Sequence, residues 1–290
     1  MKIAVITDTN CGLTKAEGEE KGLYIVPMPF NIDGKDYLDS INLTREEFFK
    51  LQKNDADIST SQPSPGFITE LWDEILKDHE AIIHIPMSSS LSSSCETAIM
   101  LSKEDEYAGK VFVVDNKRIA AAQLQSALEA KQLIAEGKTP DEIVEILLKE
   151  ALDSVAYLSV DSLKYLRKGG RISAAAAALG TLFRIKPVLY LKEGKIEPFA
   201  KARTPKQAKD IMIEGTKKEL QEKFNDKEAK NVSLSILQAD AFEQATQLKN
   251  ELEKEFPNTG KIRIYELSLS VATHVGVGTV AIMVSNKIQD

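Results

Sequence analysis

Ile3-Ala4-Val5-Ile6-Thr7-Asp8-Thr9-Asn10-Cys11-Gly12 is the stretch that decides the fold. An unbroken apolar run rich in β-branched residues, stopped at once by a polar loop, reads as a short strand buried on both faces. Parallel sheets covered by helices need such strands. The same pattern returns at Ala81-Ile82-Ile83-His84-Ile85-Pro86 and at Val111-Phe112-Val113-Val114. Helical patterns lie between them. Ser64 and Pro65 form an N-cap and first-turn pair, and Ile68, Leu71, Trp72, Ile75 and Leu76 then share one face. Residues 120–135 are predicted helical, and Thr139-Pro140-Asp141-Glu142 caps a further helix. Residues 24–60 interrupt this rhythm. Pro27, Pro29 and Asp33-Gly34 mark a small hairpin-like excursion, Thr44 with Glu47 opens a helix to about Lys53, and 53–65 reads as a polar linker.

Near Asp153 the texture changes. Strands are predicted at 155–160, 187–192, 195–200, 232–238, 262–267 and 279–285, with a hairpin turn at Glu193-Gly194. Helices are predicted at 162–167, 173–183, 205–224 and 241–255, the first ended by Gly169-Gly170. The expectation is an α/β protein of two domains. Residues 1–153 form an N-terminal α/β domain with a mainly parallel sheet and the excursion near 24–60. Residues 154–290 form a C-terminal α/β domain with a mixed sheet.

The 290-residue length fits about two domains. With 37 Lys and Arg against 44 Asp and Glu, the net charge of −7 argues against a general nucleic-acid or anionic-lipid surface. No apolar run approaches the ~20 residues of a transmembrane helix, and the N-terminus lacks a signal-peptide core. Cys11 and Cys95 make no disulfide framework, so a cytoplasmic setting is expected. Three histidines and two cysteines leave little for a metal site. Any chemistry falls to hydroxyls, backbone amides, carboxylates and a few cations.

Three segments stand out. In Ser88-Ser89-Ser90-Leu91-Ser92-Ser93-Ser94, six of seven residues are serine, between a strand and a helix. Parallel α/β sheets place ligands there, and hydroxyls with helix-terminal amides suit an anion. One N-cap needs only one serine. Thr60-Ser61-Gln62-Pro63 is a second hydroxyl-rich loop before a helix. Lys164-Tyr165-Leu166-Arg167-Lys168-Gly169-Gly170-Arg171 packs four cations around two glycines, and Lys201-Ala202-Arg203 adds more. A helix C-cap explains Gly169 but not Arg171. His274-Val275-Gly276-Val277-Gly278 is too close to the end of the chain to be a dinucleotide fingerprint, which needs a helix, a strand and an acidic residue beyond it. His274 before these glycines is instead a hydrogen-bonding candidate for an anion. His79 and His84 read as a surface and a strand-interior residue.

These pieces together resemble the DegV family of bacterial lipid-binding proteins over nearly the whole chain. The resemblance is carried in order by Ile6-Thr7-Asp8, Thr60-Ser61-Gln62-Pro63-Ser64, Ser88-Ser89-Ser90-Leu91-Ser92, Lys168-Gly169-Gly170-Arg171-Ile172-Ser173, Ile185-Lys186-Pro187-Val188-Leu189, Lys201-Ala202-Arg203 and His274-Val275-Gly276-Val277-Gly278. It implies two α/β domains with a long-chain fatty acid such as palmitate, stearate or oleate between them, its acyl chain in an apolar tunnel. The carboxylate would meet Thr60, Ser61, Ser92 and Ser93, with His274 and Gly276 nearby. Lys168, Arg171 and Arg203 would serve the head group or a partner. The implied role is that of a carrier, not an enzyme, with no cofactor, which presents the carboxylate to a fatty acid kinase for acyl phosphate formation in phospholipid synthesis. The family usually continues its serine loop as Leu-Ser-Gly-Thr-Tyr-Gln, where this chain has Leu91-Ser92-Ser93-Ser94-Cys95-Glu96. It usually has Pro at Val277 and Gly near Ala281. Two other readings of the residues are a serine-dependent acyl hydrolase using Ser92 and His274, without the GxSxG elbow, and a phosphorylated-metabolite or nucleotide binder using the cluster from Lys168 to Arg171.

Overall fold

Strand β1 (Ile3–Asp8) runs at the centre of a four-stranded parallel sheet, between β2 (Tyr24–Val26) and β6 (Ala81–Ile85), with β7 (Val111–Val113) beyond β6. The computed structural model describes residues 1–172 and 185–286. The alanine-rich helix expected at 173–183 lies outside the described residues.

Alternation along β1 sends Ala4 and Ile6 to one face and Val5 and Thr7 to the other. On the first face, Ala4, Ile6 and Ile82 meet Ile68, Trp72 and Ile75 of α3 (Pro65–Leu76) and Ala98 and Leu101 of α4 (Ser94–Leu101). Trp72 is fully buried, edge-on to both His84 and Tyr107. On the other face Gln123 of α5 (Ala120–Ala135) reaches Thr7, and α6 (Pro140–Lys149) packs beside β6 and β7. Two of the expected caps are those at Ser64, whose Oγ accepts from Phe67 N at 3.2 Å, and at Thr139, which makes a capping box with Glu142. The excursion contains the predicted hairpin, β3 (Pro29–Ile32) and β4 (Lys35–Leu38), turning at Asp33 and Gly34, whose φ angles are 50° and 86°. The polar linker expected at 53–65 contains a third strand, β5 (Ile58–Thr60), which pairs antiparallel with β3.

The second sheet has six strands. Its order is β10 (Lys195–Ala202), β9 (Lys186–Lys192), β8 (Ser154–Ser159), β13 (Thr279–Asn286), β11 (Val232–Ala239) and β12 (Arg263–Glu266). All its pairings are antiparallel except β11 with β12, so the sheet is mixed. Glu193 and Gly194, at φ 53° and 74°, make the expected hairpin turn. Two helices, Pro205–Glu222 and Phe242–Glu255, supply Ala208, Met212, Leu220, Ala245, Leu248 and Leu252 to its core. No described helix is long and apolar enough to cross a membrane.

The chain forms two compact units, residues 1–45 with 58–152 and residues 46–57 with 153–290. It therefore passes from one unit to the other three times. Residues 46–57 fall inside the excursion expected of the N-terminal domain, yet they fold with the second unit. They contain most of helix α2 (Arg45–Lys53). Polar bonds explain the placement: Gln52 and Lys53 reach Ala272 and Asp240, and Lys164 and Lys168 ion-pair with Asp55 and Asp57.

Candidate functional site

In the first unit the candidate residues gather at the C-terminal ends of the parallel strands. The chain leaves β1 toward β2 and leaves β6 toward β7, in opposite directions, so a topological switch point lies between β1 and β6. Ligands of open α/β sheets bind in the crevice at such points. Asp8 ends β1 there. Its carboxylate is buried and accepts from Met87 N at 2.9 Å, Asn10 N at 2.9 Å and Gln123 Nε2 at 3.1 Å. Burial nevertheless outweighs these bonds and raises its pKa to about 6.

The serine loop starts at that crevice and is held from β7's side. Ser88 N donates to Arg118 O at 3.0 Å. Ser89 donates to Asp115 through its amide (3.2 Å) and its hydroxyl (2.6 Å), and Lys117 Nζ donates to both Ser89 Oγ and Asp115. Burial opposes ionisation of Asp115, but Lys117 and Ser89 prevail and hold its carboxyl below the usual carboxylate range. Lys117 adopts φ 56°, in the left-handed region that costs a residue with a Cβ about 1–2 kcal/mol. Arg118 is buried and donates to Ser126 Oγ at 2.9 Å and Glu150 O at 2.8 Å.

Ser92 is half-buried. Its hydroxyl donates to Ser94 Oγ at 3.0 Å and accepts from Ser94 N at 3.2 Å. Ser93 is exposed at φ −72°, ψ −5°. These are ordinary right-handed values, so the loop backbone has no need of glycine where the family usually has one. Thr60 is half-buried at the end of β5, opposite Phe30, and Ser61 is exposed, its N–H on Pro29 O at 3.3 Å. Thr97, on the helix that follows the serine loop, donates to Gln62 Oε1 at 3.0 Å, which ties the two hydroxyl loops together. Beside Ser61 and Gln62 opens a cavity of about 360 Å³, walled by Pro27, Pro29, Phe30, Tyr37, Leu38 and Phe67. That is within the size range of small-molecule sites.

In the second unit His274, Gly276 and the segment from Lys168 to Arg171 lie at one end of the two central strands, β8 and β13. β8 ends at Ser159, opposite Val280 near the start of β13, and leads toward helix α7 (Lys164–Gly169). A helix not foreseen in the sequence, α10 in the described chain (Leu269–Val275), precedes β13, and His274 lies in its last turn rather than in a loop at a strand start. The two helices touch through glycines. A Cβ at Gly169 would fall 2.0 Å from His274 Nδ1, and one at Gly276 would fall 2.3 Å from Cδ2 of the Tyr165 ring. Gly276 also adopts φ 82°, which favours glycine independently. Arg171 donates to the carbonyl of Gly169, the residue packed against the His274 imidazole. Burial, helped by the Arg171 charge, lowers the His274 pKa to about 4, so its imidazole is neutral at physiological pH.

Of the expected cations, Lys168 is bonded to Asp57 and Lys164 to Asp55, so part of that cluster's charge is offset locally. Arg203 is exposed beyond β10, its N–H on Gln207 Oε1 at 2.8 Å. Gln52 was not foreseen. It is 1% exposed; its side chain donates to Ala272 O at 2.9 Å and accepts from Val277 N at 3.0 Å, while its carbonyl accepts from Tyr165 OH at 3.3 Å. The signal for it was a polar side chain four residues after the buried Phe48, on the apolar face of an amphipathic helix. Among the described residues, Ser92 has Ser94 as its hydroxyl partner.

Residues 2–287 match the family model DegV, described as "Uncharacterised protein, DegV family". A DegV domain-containing protein of Staphylococcus aureus (strain N315) is 30% identical over 289 residues, 99% of each chain. Among solved structures, the fatty-acid-binding DegV family protein from Thermus thermophilus superposes with a TM-score of 0.88 at 28% identity, covering 99% of this chain and 100% of that one. DegV, a fatty acid binding protein from Bacillus subtilis, gives 0.83 at 28% identity with the same coverage. With the family model matched over residues 2–287 and a relative 30% identical over 99% of each chain, the chain belongs to the DegV family.

Proposed function

We propose that this protein binds a long-chain fatty acid such as palmitate, stearate or oleate, without itself performing catalysis. The observation that carries the proposal is the full-length similarity to the Thermus thermophilus and Bacillus subtilis proteins, both described as fatty acid binding. The chemistry of the candidate loops supports it. Each CH₂ moved out of water gains about 0.8 kcal/mol, so a ~16-carbon chain supplies on the order of 12 kcal/mol before the costs of binding. The polar residues need only satisfy the carboxylate. Thr60, Ser61, Ser92 and Ser93 offer hydroxyls for this, and His274 and the Gly276 backbone offer further hydrogen bonds. A neutral His274 beside Arg171 is a donor that does not compete with the arginine for the carboxylate's charge.

The carrier role extends this reading. A partner fatty acid kinase phosphorylates the presented carboxylate to an acyl phosphate, the activated form used in phospholipid synthesis. Arg203, exposed beyond a hairpin strand, contacts that partner, and Arg171 with Lys168 borders the head group. The buried free thiols Cys11 and Cys95 suit a reducing cytoplasm.

Native mass spectrometry of purified protein is the test. It should show added mass equal to a fatty acid, released on denaturation. Lipid-free protein that also fails to bind oleate or palmitate refutes the reading. Thr60→Ala, Ser92→Ala and His274→Ala should each weaken retention; three unchanged affinities would remove the site assignment. Arg203→Glu should impair acyl phosphate formation by the kinase more than it impairs lipid binding, and the reverse pattern would exclude a partner contact there.

A further inference from the structure

We infer that Gln52 is the positioning residue of the His274–Gly278 loop, fixing its backbone on both sides of His274 and thereby setting affinity for the ligand's carboxylate. The inference rests on the functional reading above. Gln52, Tyr165 and the loop all belong to the second unit.

The loop has few ways to hold its shape. Between α10 and β13 the chain turns through Gly276 at φ 82° and Gly278 at φ 81°, conformations that glycine permits but does not enforce. Thr279 Oγ1 donates to Val275 O at 3.0 Å and Gly276 O at 2.8 Å, and Gly278 N donates to Ala239 O at 2.8 Å. Gly276 N also donates to Ala272 O at 2.8 Å, so the turn is held at both ends but not at Val277 N. The Gln52 amide bridges the same stretch from outside the loop: its NH₂ donates to Ala272 O, two residues before His274, and its oxygen accepts from Val277 N, three residues after. One buried side chain thus uses both ends of its amide on the backbone flanking the imidazole.

Its own placement is equally constrained. Tyr165 OH donates to the Gln52 carbonyl, and the Tyr165 ring fills the space a Cβ would need at Gly276. Gln52, Tyr165 and Gly276 therefore form one packed set. The exposed pairs Lys53–Asp240, Lys164–Asp55 and Lys168–Asp57 hold the same segment from outside. Exposed pairs contribute little each, whereas removing the Gln52 amide takes the partner from Val277 N and one of two donors from Ala272 O, which keeps Gly276 N. The specificity of the placement lies in Gln52.

The test compares Gln52→Met, which keeps the volume but removes both bonds, with Gln52→Glu, which restores them only when protonated. A neutral glutamic acid can donate to Ala272 O and accept from Val277 N; a glutamate cannot donate. Oleate affinity is measured by fluorescence displacement from pH 5 to 8, and the His274 imidazole is titrated by NMR in ligand-free protein. Gln52→Met should bind oleate about tenfold or more weakly, the effect of losing one to two buried hydrogen bonds, and should shift the His274 titration upward. Gln52→Glu should be as weak at pH 8 and recover toward wild type, measured in parallel, as pH falls to 5. Lys53→Met, which removes only an exposed pair, should change affinity less than twofold.

A Gln52→Met protein that binds within twofold of wild type, with the His274 titration unmoved, overturns the inference. If Gln52→Met does not fold, the Gln52→Glu series decides: a constant ratio to wild type across the pH range overturns the inference, and recovery supports it. Wild-type protein that binds no oleate defeats the functional reading instead, and the ligand-free His274 titrations of the variants then decide the positioning role.

Discussion

Replacing Gly169 with alanine sets two opposing effects against each other at one atom. Gly169 is the last residue of a helix and has no positive φ, so backbone conformation does not forbid the change. Alanine in a helix is favoured over glycine by up to about 1 kcal/mol, less at a terminus. Against this, the new methyl would stand 2.0 Å from His274 Nδ1 and 2.7 Å from its Cε1. Ordinary contact begins near 3.4 Å, so the ring must retreat by about 1.4 Å. It is half-buried on a helix whose backbone Gln52 holds. Overpacking of this kind costs about 1–3 kcal/mol. The steric effect wins, for a net loss of about 1–2 kcal/mol. A displaced imidazole should also leave its low-pKa setting. Urea unfolding would read the first effect, and NMR titration of His274 the second. An alanine variant at least as stable as wild type, with an unmoved His274 titration, would refute the packing argument.

Three further sets of substitutions probe other packed and buried groups. Gly276→Ala should be more damaging than Gly169→Ala, because it adds the strain of φ 82° to a 2.3 Å approach to Tyr165; equal urea midpoints for the two variants would contradict this. Burial lowers the His84 pKa to about 3, so the unfolded chain takes up the proton first. The associated stability is complete above pH 6.5 and falls as pH drops toward 3, by about 3 kcal/mol at pH 4. His274 acts with the same sign between 6.5 and about 4, and Asp8, raised to about 6, with the opposite sign between 3.8 and 6. His84→Leu should therefore flatten the loss of stability from pH 7 to 4, and an unchanged slope in pH-dependent urea unfolding would argue against the buried neutral imidazole. Finally, Ser89→Ala and Asp115→Ala should each loosen the serine loop, with a coupling of about 0.5–3 kcal/mol in a double-mutant cycle; strict additivity would mean that the two do not act together.

The sequence made the parallel sheet legible because buried strands leave continuous apolar runs. The predicted 81–86 and 111–114 strands differ from those observed by one residue each. The turns at Asp33-Gly34 and Glu193-Gly194 were legible for a local reason, two successive positive φ angles that Gly and Asp tolerate and that Glu193 adopts beside its glycine. The strand Ile58–Thr60 was hidden: three residues carry no periodicity, and only pairing with Phe30, Asn31 and Ile32 makes it a strand. The helix Leu269–Val275 was masked by its Val and Thr content, which favours strands locally, although Ser268 caps it through Val271 N. In the candidate site, hydroxyls and glycines could be picked out by type. The supports around them could not. Asp115 and Lys117 reach Ser89 across 26 and 28 residues, and Gln52 reaches Val277 across 225. Contacts of that separation are products of tertiary packing.

The three passages of the chain between its units bear on how such a protein can be divided or recombined. Its C-terminal half is not a module that a single cut releases. A fragment starting at Asp153 would carry the His274 loop without Gln52, and Lys164 and Lys168 without Asp55 and Asp57. A chimera joined at the same point would import a loop matched to another protein's residue at position 52. Exchange between relatives is therefore expected to succeed when residues 46–57 travel with the C-terminal half, and the two separated segments are constrained to vary together as one inheritance.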